Sequence, residues 1–146
     1  MKKLICLTLV ILALFGCLAA CNFTQNTSGD FAGEAASAPK VEEMMTALAE
    51  NRTDYAKALM HPNAAEKSDA AIKQMAAYLS GRKADAIERI SINVNTATGL
   101  GGKARQEQVT YQVALDDGEA VYLNTAYLTN NDGSGFVSFQ LVLGLV

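Results

Sequence analysis

The sequence predicts an α+β domain, with two or three N-terminal helices packed on a four-stranded antiparallel meander sheet. Three observations carry that prediction. Apolar residues recur at helical spacing between Val41 and Leu79. From Asp85 onward the apolar period falls to two. Short, turn-rich connections separate the alternating runs, so each strand folds back beside the one before it. Helices followed by hairpin-linked strands make the α+β pattern.

The helices come first. Val41, Met44, Met45 and Leu48 fall at i, i+3, i+4 and i+7 and form one apolar face. Glu42, Glu43 and Glu50 lie off that face, and Asn51-Arg52-Thr53 interrupts the helix. Thr53 is the expected cap of a second segment, with Asp54 in its first turn. Tyr55, Ala58 and Leu59 are its expected buried face, and Met60-His61-Pro62-Asn63 stops it, since the residue before proline resists helix. Ser68 is the expected cap of the next helix, where Ile72, Met75, Ala76 and Leu79 repeat the spacing. Gly81 stands where a left-handed cap belongs, and Arg82 and Lys83 sit near the negative helix end. Met44, Met45, Met60 and Met75 are read as core fillers.

Then come the strands. Ile90, Ile92 and Val94 alternate with polar residues, then Val109, Tyr111, Val113 and Leu115 do the same. Asp116-Asp117-Gly118-Glu119 supplies a hairpin turn. Val121, Leu123, Thr125 and Tyr127 form the third inward set, with Tyr122, Asn124 and Ala126 on the other face. After the Asn130–Gly135 turn, Val137, Phe139, Leu141 and Leu143 form the last. One face of such a sheet packs the helices.

This order resembles the nuclear transport factor 2-like and cystatin-like superfamily. The matching segments are TDYAKALMHP, DDGEAVYLNTAYL and GSGFVSFQLVL. The resemblance implies a curved sheet wrapped around helices as a cone. Phe136 stands where many members carry Trp. Enzymes of the superfamily use buried Asp, His or Tyr in the cone, and no such set maps onto this chain.

The N-terminus has a different character. Lys2 and Lys3 precede an apolar run from Leu4 to Phe15, broken only by Thr8, and Leu18-Ala19-Ala20-Cys21 follows. A charged start, a short apolar core and small residues at a cleavage point describe a signal peptide. The last four residues resemble a bacterial lipobox. That resemblance implies diacylglyceryl transfer to the Cys21 thiol, cleavage before Cys21 and acylation such as palmitoylation of the new amino group. Each buried methylene contributes about 0.8 kcal/mol, and two chains suffice for stable anchoring. The expected organisation is a signal peptide over residues 1–20, a lipidated flexible tether over 21–40 and one domain over 41–146. The tether expectation rests on the Asn, Thr, Ser, Gly and Ala content of residues 22–40. Cys6 and Cys17 leave with the signal, so the fold rests on an apolar core and not on disulfides.

From Cys21 onward the chain carries 10 basic and 15 acidic residues, a net charge of −5. With no clustered Lys or Arg, nucleic acid is not an expected partner. Gly99-Leu100-Gly101-Gly102-Lys103-Ala104 matches a dinucleotide-loop spacing, but a strand pattern follows where that loop needs a helix. Asp116, Asp117 and Glu119 are too closely spaced for a calcium loop. No catalytic residue, metal or cofactor is expected. His61 and Asp85 would be the first residues tested in an enzyme reading.

Tyr55, Tyr78, Tyr111, Tyr122 and Tyr127 are the candidate ligand-binding residues, because tyrosine pairs an apolar body with a polar tip. Gln112 and Asn124 add hydrogen-bonding capacity on the opposite sheet face. The expected function is that of an extracytoplasmic module held to the bacterial membrane by lipid on Cys21. It would bind an envelope protein or a small ligand. A passive structural role in the envelope is the alternative, followed by a small enzyme that uses the cone cavity.

Overall fold

The computed structural model describes residues 22–26 and 35–143. The signal segment, Cys21 and residues 27–34 of the expected tether lie outside the described residues.

The domain is α+β, as its sequence predicts. The helical segments are α1 (Ala38–Ala49), α2 (Thr53–Ala58), α3 (Pro62–Ala65) and α4 (Asp69–Leu79). Strands β2 (Ala84–Gly99), β3 (Gly102–Leu115), β4 (Ala120–Asn130) and β5 (Gly133–Leu143) form the expected meander. All neighbouring pairs are antiparallel. A further strand, β1 (Asn22–Asn26), pairs antiparallel with β2 at the sheet edge. An edge strand offers a row of unpaired amides and carbonyls, and β1 satisfies part of that row.

The apolar helix positions meet the inward strand positions. Met44, Met45 and Leu48 of α1 and Ile72, Met75 and Leu79 of α4 are buried against Val109, Val113, Leu115, Leu123, Phe139 and Leu141. Met60 joins them, so all four expected core methionines are in the core. Phe136 stacks edge-on against both Tyr127 and Phe139, with centroids 5.0 and 5.1 Å away. Burying a side chain of this class contributes about 1.5–3 kcal/mol.

Several local expectations give way to local physics. The folded unit starts before Val41: Ala35 and Ser37 are buried, and α1 tolerates Pro39 in its first turn, where amides lack helical partners anyway. Thr53 is the first residue of α2 and not its cap, and the helix buries Ala56 while Tyr55 and Ala58, expected inside, are exposed. The Ser68 hydroxyl donates to the Ala65 carbonyl at 2.7 Å and makes no capping bond. Ser80 takes the left-handed turn at φ 48°, and Gly81 continues it at 85°. Ile90, expected inside, is exposed because the pairing shifts between Arg89 and Ser91. Such a bulge reverses facing for the residues on one side of it. A second shift beside Tyr127 turns Phe136 inward and leaves Val137 only half-buried.

The two ends of the sheet differ. At one end, the β3–β4 turn is pinned to α4. The Arg82 guanidinium lies over the Tyr78 ring, 4.7 Å from its centroid, and donates to Asp117 at 3.1 Å and to Glu119. The Tyr78 hydroxyl donates to Glu119 at 3.0 Å. At the other end lie the β2–β3 tip at Leu100-Gly101 and the β4–β5 tip at Asn131-Asp132. The Asn131 side-chain amide donates to the Gly101 carbonyl and joins the two tips.

Candidate functional site

The five candidate tyrosines separate into four places. Tyr55 is exposed on α2, donates to Glu43 at 3.0 Å and lies beneath the Arg52 guanidinium. Tyr78 belongs to the Arg82 cluster. Tyr122 is exposed on the sheet face away from the helices. Tyr111 and Tyr127 alone come together, on the inner face beside Glu107.

Glu107 is the residue that the sequence reading missed. It is 2% exposed and opposite Tyr127 in the strand register. Its carboxylate accepts from the amides of Ala36 and Ser37, both at 3.2 Å, and from the Ser37 hydroxyl at 3.1 Å. Arg105 reaches it from the surface at 3.1 Å. A carboxylate at a helix N-terminus satisfies orphan amides and meets the positive end of the helix dipole. The signal for it was present, because the alternation Val109, Tyr111, Val113 extended back by one step puts Glu107 inside.

The Tyr111 hydroxyl is buried beside the Ser37 hydroxyl and makes no hydrogen bond of ordinary geometry. Burial pushes both Tyr111 and Tyr127 above the ordinary phenol range, so both remain protonated at neutral pH. Tyr111→Phe is expected to be neutral or stabilising by about 1 kcal/mol, read from the urea midpoint, because it removes an orphaned polar atom. A clear loss of stability would mean that the hydroxyl has a partner.

His61 is fully buried and its ring is committed on both sides. Nδ1 accepts from the Asn63 amide at 3.2 Å, which leaves the Nε2 proton to be donated to Asn130 Oδ1 at 3.0 Å. It caps α3 and ties it to the end of β4. Asp85 is exposed in a different place, in an open cleft of about 320 Å³ with Glu42, Thr46 and Lys83. The two residues do not form an acid–base pair. Among the described residues, no group of three or more His, Cys, Asp or Glu side chains is placed to hold a metal ion.

The sheet face away from the helices is organised differently. Register places three cross-strand rows there: Glu88, Gln112, Tyr122 and Val142; Ser91, Thr110, Asn124 and Gln140; Asn93, Gln108, Ala126 and Ser138. Thr110 donates to Asn124 at 3.0 Å along the middle row. Ser91, Gln108, Gln112, Tyr122 and Asn124 are exposed. Glu88 is the one charged residue in these rows, although the chain as a whole is 18% charged. This surface can exchange hydrogen bonds in both directions through amides and hydroxyls, with Tyr122 as an aromatic platform.

No family model matches the sequence, and no curated protein or solved structure shows significant similarity to it. No helix of the described residues is long and apolar enough to cross a membrane.

Proposed function

We propose that the protein is a membrane-anchored lipoprotein, held by lipid on Cys21, whose extracytoplasmic domain is a binding or protein-interaction module. The nearly uncharged sheet face, with Gln112, Tyr122 and Asn124 exposed on it, carries the interaction half of this reading. Its amide and hydroxyl rows suit a partner that presents backbone, amide or hydroxyl groups. The packed core opposite supplies rigidity, which limits the entropy lost on binding. The Leu18-Ala19-Ala20-Cys21 segment supports the anchoring half. The meander packed on α1 and α4 supports a cystatin-like cone, its inside filled by the core described above.

Photo-crosslinking in the intact cell envelope tests the reading. A photoreactive residue replacing Gln112 or Tyr122 is expected to give one common adduct, while the same residue replacing Asp117 gives none. Equal labelling from Asp117 would remove the sheet face as the interaction surface. Absence of any adduct would favour the passive envelope role.

A further inference from the structure

We propose that the domain stands on the bilayer by the tip of the β2–β3 hairpin, with Leu100 entering the lipid interface; this rests on the Cys21 anchoring proposed above. The register of β1 carries the inference. Asn22 pairs with Thr98 and Phe23 with Ala97, so the chain enters the sheet at the tip end of β2. Partners across an antiparallel pair are about 4.5–5.5 Å apart at Cα, and a peptide bond holds the Cα of Cys21 about 3.8 Å from that of Asn22. A lipid on Cys21 therefore starts beside the hairpin tip and leaves no length of chain to lift the domain away.

The tip suits that position. Leu100 is the most exposed large apolar residue among the described residues, presented between Gly99 and Gly101. A single exposed leucine is unremarkable on its own. Here it stands on the one end of the sheet that the anchor reaches. The adjoining β4–β5 tip is tied to it through Asn131 and Gly101, so the two tips present a joint base. Lys103 and Asp132 bring one charge of each sign to this base. Arg82, Lys83, Asp116, Asp117 and Glu119 crowd the opposite end, where water solvates them. In this pose the strands rise from the membrane and the open face looks sideways along it.

The test uses the full chain, processed in a lipidating bacterial host and reconstituted in phosphatidylethanolamine–phosphatidylglycerol vesicles. With Cys21 acylated and the signal removed, Leu100→Cys, Thr98→Cys and Asp117→Cys each provide one free thiol for an environment-sensitive fluorophore. Nitroxide-labelled lipid is expected to quench the probes at 100 and 98 several-fold more than the probe at 117. Equal quenching at all three positions, with an acyl mass on Cys21, would overturn the orientation and leave the anchoring intact. A mature chain without acyl mass on Cys21 would overturn both.

Discussion

Gly135→Ala is expected to destabilise the domain by about 3 kcal/mol, at the upper end for overpacking. An added methyl would lie 2.6 Å from both the His61 Cα and the Met60 carbonyl carbon. These are backbone atoms, and they cannot step aside. The His61 amide donates to the Phe136 carbonyl at 2.8 Å, and the Phe136 amide donates to the Leu59 carbonyl at 3.1 Å. Relieving the clash breaks that pairing and withdraws His61 from Asn130. Gly101→Ala is the matched control. An added methyl there meets nothing within 4 Å, so its effect stays within about 0.5 kcal/mol. Urea midpoints of the two variants decide the matter, and equal midpoints would mean that the α2–α3 segment does not dock on β5 as described.

Glu107→Ala is expected to destabilise by about 3 kcal/mol. The loss has two parts. The amides of Ala36 and Ser37 and the Ser37 hydroxyl lose their acceptor, and α1 loses the negative group at its N-terminus. Arg105 contributes less, because it is nearly half exposed and screened by water. Glu107→Gln keeps the volume but turns an amide donor toward donors, so it recovers little. Amide hydrogen exchange separates this mechanism from a general loss of stability. In Glu107→Ala the first turn of α1 should lose protection before α4 does. Uniform loss in both helices would mean that Glu107 does not act through that turn.

The sequence made the architecture readable because the domain's two apolar periods are clean. Val41, Met44, Met45 and Leu48 repeat as a helix face, and Val109 to Leu115 alternate as a strand, and both sets are buried where the period puts them. What the pattern hid was non-local. The bulge at Ile90 changes facing without any glycine or proline to announce it, and the one beside Tyr127 falls just past a glycine turn that reads only as a hairpin. The docking of Asn22–Asn26 depends on a free edge of β2, which composition does not reveal. Side-chain chemistry alone marks the candidate tyrosines, and their separation into four places follows from which element each one occupies. Glu107 was legible by parity, but its role depends on Ala36 and Ser37, some seventy residues away in sequence. The outer-face rows were partly legible, since Tyr122, Gln112 and Asn124 read as one face, but their continuity across four strands required the register.

Anchoring at Cys21 is the claim on which the membrane reading depends, and the intact mass of the mature chain from a bacterial host tests it most directly. The expected product is a chain that begins at Cys21 and carries diacylglyceryl mass, which Cys21→Ser abolishes along with membrane association. A mature chain that begins elsewhere, or that begins at Cys21 with a free thiol, would contradict it.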